Sequence, residues 1–283
     1  MLGVSRQVYY RSLKSTKRRK EISSQVIEMV ISIRTIMPKI GTRKLYYMLS
    51  NELRTIGVGR DMLFRILKAN HMLITPKKSY HITTNSHHRF KKHKNLIEEV
   101  TPSEPEQIWV SDITYIGNRA NPMYLALVTD AYSKKIVGYD VSNSLNTEGS
   151  LRAMKMANKS RFYKDNVLIH HSDRGLQYCS NEYQNLLQKS KIKCSMTETY
   201  DPYANAIAER INGILKQEFI GENRNLEINT MKQLIKNSID IYNDIRPHYS
   251  CFMKTPKEMH KQKRIKIKTY KTKNTSKDVF AGI

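Results

Sequence analysis

Three acidic residues stand where metal-assisted chemistry would need them. Asp112, Asp173 and Glu209 are separated by 60 and 35 intervening residues. Asp112 lies inside the β-rich run Ile108-Trp109-Val110-Ser111-Asp112-Ile113-Thr114-Tyr115-Ile116, where aspartate is disfavoured and a buried charge costs several kcal/mol unless compensated. Asp173 follows the short apolar run Val167-Leu168-Ile169-His170-His171, at a strand end of the kind where ligands collect in α/β sheets. On a helical wheel Glu209 groups with Asn205, Asn212 and Lys216, opposite an apolar face of Ile207, Ile211, Ile214 and Leu215. Taken singly, each has a plain structural explanation: an outward-facing strand residue, a turn or cap aspartate, a solvated Glu/Lys face. Taken together, two strand aspartates and a helix glutamate meeting at one sheet edge would hold two divalent cations about 3.5–4 Å apart. One ion lowers the pKa of a water or 3′-hydroxyl nucleophile and the other stabilises the leaving oxygen of a phosphodiester. Hard oxygen donors suit Mg²⁺, with Mn²⁺ as substitute.

Positioning such a trio requires a sheet, and the surrounding pattern supplies one. Residues 108–116, 123–130 and 136–142 read as three consecutive antiparallel strands separated by turn residues. A helix follows at about 147–158, then a strand at 167–171, a helix near 180–190 and a strand at 192–196. A long helix runs from beyond Pro202 to about Ile220, and another spans about 230–245. This order predicts an α/β fold with a mixed sheet between helices.

The N-terminal third is helical and basic. Ile22, Val26, Met29, Val30 and Ile33 fall at helical spacing over 21–36, and Leu45, Tyr46 and Leu49 do so over 42–53. The break Ile56-Gly57-Val58-Gly59 precedes a short helix from Arg60 to Ala69. Helices around a glycine turn fit a helix-turn-helix or an ordinary small bundle, and Arg60, Arg65 and Lys68 on the second helix favour DNA. Residues 77–94 carry five lysines, Arg89 and His81, His87, His88 and His93 without apolar periodicity, which reads as a solvated tether rather than a metal site. From Arg264 to Lys273 the chain alternates Ile/Lys and Thr/Lys, as a weak basic strand or a disordered basic arm.

Charge distribution agrees with this division. The net charge is +24, with 21 Lys and Arg against 7 Asp and Glu in residues 1–104, 20 against 17 in 105–260, and 8 against 1 in 261–283. Basic flanks around a balanced centre indicate that the flanks hold a polyanion on which the centre acts. No apolar run approaches the ~18 residues of a spanning helix and no signal-peptide pattern follows Met1, which predicts a cytoplasmic protein rather than a membrane one. Cys179, Cys194 and Cys251 form no CxxC pair, so neither a disulfide framework nor a cysteine zinc finger is expected.

In specific stretches the chain resembles the DDE transposases of bacterial insertion sequences, whose catalytic core is similar to retroviral integrase. The stretches are Trp109 to Ile116, His170-His171-Ser172-Asp173-Arg174-Gly175-Leu176-Gln177-Tyr178, Asn205-Ala206-Ile207-Ala208-Glu209-Arg210 through Lys216 and Glu218, Tyr242-Asn243-Asp244-Ile245-Arg246-Pro247-His248, and Thr255-Pro256-Lys257-Glu258. The 35-residue gap between the second and third acidic residues is the family's own. Gly41-Thr42-Arg43-Lys44-Leu45 resembles the family's helix-turn-helix region.

The resemblance implies an RNase H-like core with a mixed five-stranded sheet over residues 105–262. Before it stand a helix-turn-helix-like DNA-binding region at 1–75 and a basic linker at 76–104, and a basic tail follows at 263–283. It implies that Asp112, Asp173 and Glu209 bind two Mg²⁺ or Mn²⁺ ions and that Lys216 contacts phosphates of the element's terminal DNA. Arg43, Lys44, Arg60, Arg65 and Lys68 join it as DNA-contacting candidates. The implied reaction frees 3′-hydroxyl ends and uses them to attack another phosphodiester, without ATP. Expected partners are double-stranded terminal-repeat and target DNA, further copies of the chain on that DNA, and an upstream-frame helix-turn-helix protein, with nucleoid association in the cytoplasm. Ala204 departs from the acidic residue that relatives often carry there, and Met1 begins within a segment that in relatives follows another DNA-binding module. Two other readings keep part of the pattern: an RNase H-like nuclease, which needs the carboxylates but no paired ends, and an inactive DNA-binding relic, which needs only the basic arms.

Overall fold

The computed structural model describes residues 5–75, 93–97, 100–118, 120–197, 205–221 and 225–265. Most of the tether read at 77–94 and the tail beyond 265 therefore lie outside the described residues.

Helix α1 spans Arg6–Ile36, starting fifteen residues before the apolar periodicity does. The Ser5 hydroxyl accepts the Val8 N–H at 3.4 Å as its cap, and the lysines and arginines that follow are good helix formers. Every side chain from Arg6 to Glu21 is exposed. Only the second half of α1 packs, through Val26 and Val30. The stretch read as one helix over 42–53 is two, α2 (Thr42–Met48) and α3 (Ser50–Thr55), parted at Leu49. The chain then reverses at Gly57, whose φ of +71° is the left-handed conformation that glycine adopts without a Cβ penalty. It continues into α4 (Arg60–Ala69).

The sheet is mixed and five-stranded, in the order β3-β2-β1-β4-β5. Strands β1 (Ile108–Tyr115), β2 (Tyr124–Asp130) and β3 (Ile136–Ser142) form the antiparallel meander, while β4 (Ile169–Ser172) and β5 (Lys193–Met196) add on parallel to β1. Alternation along β2 sends Leu125 and Leu127 to one face and Ala126 and Val128 to the other. The second face is covered by α5 (Thr147–Lys159), the single turn α6 (Leu176–Cys179) and α7 (Asn181–Lys189), with Met154, Tyr183 and Leu187 buried against Trp109.

The first face carries α8 (Ala206–Ile214), a π-helical turn at Leu215–Ile220 and α9 (Ile228–Asp244). The helix read from Pro202 to Ile220 therefore changes hydrogen-bonding pattern in its last third. On this face Leu125, Leu127, Ile211, Leu215, Ile235 and Ile239 join a single apolar cluster with Val26, Val30, Leu45, Leu53, Leu63 and Leu67. Each such buried side chain contributes about 1.5–3 kcal/mol relative to exposure. The N-terminal helices and the sheet thus share one core.

At the end of the sheet where β1 begins, α10 (Pro256–His260) is tied down by a buried polar network. Glu106 accepts the N–H groups of Phe162 (2.9 Å) and Tyr163 (2.7 Å), and Asp130 accepts those of Glu106 and Ser133, both at 2.7 Å. His260 joins them, with Nδ1 2.9 Å from the Ser133 hydroxyl and Nε2 3.4 Å from Glu106. Burial alone would lower the imidazole pKa, but hydrogen bonds to Asp130 and Glu106 hold it above its ordinary value. Against the opposing effect of burial, the same contacts hold both carboxylates below theirs.

Candidate active site

Parallel pairing of β1 with β4 ends with Ser111 opposite Ser172, so Asp112 in β1 and Asp173, the first residue past the end of β4, each follow directly on that pair. This register places the two aspartates side by side. Asp112 gives one oxygen to its neighbour, the Ile113 N–H at 2.9 Å, and the other to the side-chain amide of Asn212 at 2.7 Å. Burial first, and the negative charge of Asp173 next, push the Asp112 pKa up to about 7, with Glu209 adding to the rise and Asn212 opposing it. Asp173 accepts the Gly175 N–H at 3.1 Å, and a Cβ on Gly175 would sit only 3.1 Å from that same carboxylate oxygen. Glu209, in the first turn of α8 and largely open to solvent, has its pKa raised by the part of its surroundings that excludes water and by the charge of Asp173.

One helix face runs along β1 and fixes this geometry. The Asn205 amide donates to the Ser111 carbonyl at 3.0 Å, the Asn212 amide to Asp112, and the Lys216 ammonium to the Thr114 hydroxyl at 3.2 Å. The wheel that grouped Asn205, Glu209, Asn212 and Lys216 had located this face, yet it assigned no task to the two asparagines or to Thr114. Finding them requires knowing that the polar stripe abuts a strand. From the opposite sheet face, His170 Nε2 lies 2.8 Å from the Ser111 hydroxyl and 3.0 Å from the Tyr183 hydroxyl. Burial lowers the His170 pKa to about 3, so the imidazole is a neutral strut.

The three carboxylates sense one another without closing on a point: among the described residues, no three His, Cys, Asp or Glu side chains are already gathered around a single ion position. The basic candidates fall elsewhere. Arg43, Arg65 and Lys68 are exposed on the N-terminal helices, and Arg60 pairs with Asp61 at 2.9 Å. Lys44 turns inward to Glu218 at 3.0 Å.

Two models described as integrase core domain match residues 102–202 and 190–256. The 31 kDa protein of insertion element IS600 from Shigella sonnei, itself uncharacterized, is 33% identical over 252 residues, 88% of this chain and 92% of that protein. The chain belongs to the insertion-sequence transposases with an integrase core. Within that family the transposase of IS629 from Shigella sonnei is 31% identical over 180 residues, and the match covers 64% of this chain but only 60% of that protein. In fold, the transposase is similar to a chain of the simian T-cell lymphotropic virus intasome, solved by cryo-EM with the PP2A regulatory subunit B56 gamma. The TM-score is 0.50 at 21% identity, covering 84% of this chain and 81% of that one. The mixed sheet and its flanking helices are accordingly those of an RNase H-like integrase core. Among the described residues, no helix is long and apolar enough to cross a membrane.

Proposed function

We propose that this transposase cleaves DNA at the ends of its insertion sequence and joins the freed 3′-hydroxyls to target DNA, with Asp112, Asp173 and Glu209 as the catalytic carboxylates. The observation that carries this reading is that Asp112 in β1 and Asp173, just past β4, follow the last paired residues of two parallel strands, with Asp173 and Glu209 both close enough to raise the Asp112 pKa. Like charges held together in one neighbourhood need either protons or cations. The donor set, carboxylate oxygen throughout, fits hard divalent ions such as Mg²⁺ or Mn²⁺. When bound, such ions supply Lewis acidity for the attacking hydroxyl and the leaving oxygen.

The chain's own residues do the rest. Asp112, Asp173 and Glu209 would hold the ions, Asn212 and the Ile113 N–H orient the Asp112 carboxylate, and Asn205 fastens α8 to β1. Lys216, on the same face, supplies positive charge for a DNA phosphate. The exposed basic residues of α1 and α4 supply a wider phosphate-binding surface, where terminal-repeat and target DNA and further copies of the chain assemble. The test is strand transfer by purified Asp112→Asn, Asp173→Asn and Glu209→Gln on terminal-repeat DNA with Mg²⁺. Each should lose cleavage and joining while still binding DNA; full activity in any one overturns the assignment.

A further inference from the structure

The turn carrying Lys216 is not an ordinary end of a helix. Leu215–Ile220 is π-helical, a form uncommon enough to mark a local constraint. Lys216 and Glu218, two residues apart, point to opposite sides of it. Lys216 reaches Thr114 on β1, whereas Glu218 faces away from the sheet, into a cluster of cations.

Glu218 is gripped from two directions. Arg246, nearly fully buried at the end of α9, donates Nε to Oε2 and its terminal nitrogen to Oε1, both at 2.7 Å. Lys44 of α2 donates to Oε1 at 3.0 Å. The backbone is held as well, since the Lys39 N–H donates to the Glu218 carbonyl at 3.3 Å. The turn closes where the Gly221 N–H meets the Lys216 carbonyl at 2.9 Å, and a Cβ on Gly221 would lie 3.4 Å from the Lys39 ammonium. Two contacts to one residue of this turn thus come from α2 and from the segment joining α1 to it, although both lie more than 170 residues earlier in the chain.

We propose that Glu218 is a positioning residue: through Lys44 and Lys39 the N-terminal helices hold the π-helical turn so that Lys216 stays aimed at the site, and a shift in those helices moves Lys216. The proposal rests on the reading of Lys216 as the phosphate-binding cation. It gives Lys44 a task different from the DNA contact that its place in the basic region suggests. The link is short, charged and largely desolvated, so each of its hydrogen bonds is stronger than it would be in water.

The experiment compares Lys44→Met, Lys44→Arg, Lys216→Ala and the double variant Lys44→Met/Lys216→Ala. Terminal-repeat joining is followed alongside hydrogen exchange at the Gly221 amide in the absence of DNA. Lys44→Met leaves the Arg246–Glu218 pair intact, and an unchanged melting curve verifies the fold. It is expected to lower joining about tenfold, to speed Gly221 exchange, and to add no further loss in the Lys216→Ala background, while Lys44→Arg restores most of the activity. Additive losses in the double variant would show Lys44 acting on DNA by itself and overturn the proposal, as would wild-type joining by Lys44→Met. If Lys216→Ala joins normally, it is the reading of Lys216 that fails; Gly221 exchange separates the two failures, because it reports the grip with no DNA present.

Discussion

Asn212 donates its amide to the Asp112 carboxylate across 2.7 Å, from the same helix that carries Glu209. The carboxylate most altered by its surroundings is therefore oriented by a residue outside the acidic trio. Replacing Asn212 with alanine removes a hydrogen bond to a charged group, worth about 1.5–3 kcal/mol. Joining by Asn212→Ala should fall roughly 10- to 100-fold in turnover with DNA affinity unchanged. A titration of DNA binding beside single-turnover joining checks it, and a loss confined to binding would refute the role.

Asp112 also sets up a conflict between stability and activity. Its pKa rises from an ordinary 3.8 to about 7 in the folded chain, so folding penalises the ionised form. The penalty is absent below the unfolded value, grows as pH rises from about 4 to about 7, and is constant above that. Without divalent ions, Asp112→Asn should consequently melt several degrees above wild type at pH 8 and level with it at pH 4. Equal melting temperatures at pH 8, with EDTA present, would contradict a repulsive carboxylate cluster.

The network under α10 predicts a pH dependence of the usual bell shape, each limb with its own cause. His260, with its pKa raised, contributes stability that is complete below its unfolded value near 6.5 and is lost as pH climbs through the folded one. Glu106 and Asp130, with theirs lowered, contribute stability present above about pH 4 and lost as pH falls through the folded values. His260→Gln should flatten the alkaline limb of a denaturant-midpoint profile. An alkaline limb that survives the substitution would place its origin elsewhere.

The sheet was legible in sequence because β-branched runs, turn residues and strand spacing all act locally. The meander β1–β2–β3 and the presence of two further strands follow from them, whereas the RNase H-like five-stranded sheet was what the resemblance implied. Asp112 stands out as a charge inside an apolar strand run, and Asp173 by its place at a strand end, where ligands collect. What stayed hidden depends on contacts distant in sequence. The first half of α1 carries no apolar stripe and is exposed among the described residues, so periodicity had nothing to register. The π-helical turn is held by Arg246, Lys39 and Lys44, none of which is a sequence neighbour. For the same reason the ion pair of Lys44, a DNA-contacting candidate through the helix-turn-helix resemblance, with the half-buried Glu218 could not be read from the sequence.

Leu45, Leu53, Leu63 and Leu67 share their apolar cluster with Leu125, Ile211 and Ile239. Helices that share their core with the sheet in this way cannot be exchanged like a bead on a string, since the exchange would leave two raw apolar faces unmatched. On the function proposed above, new end sequences would be acquired by changing exposed side chains on a fixed scaffold. Divergence within the lineage should then accumulate on the solvent faces of α1 and α4, while the seam between the helices and the sheet changes only in concert.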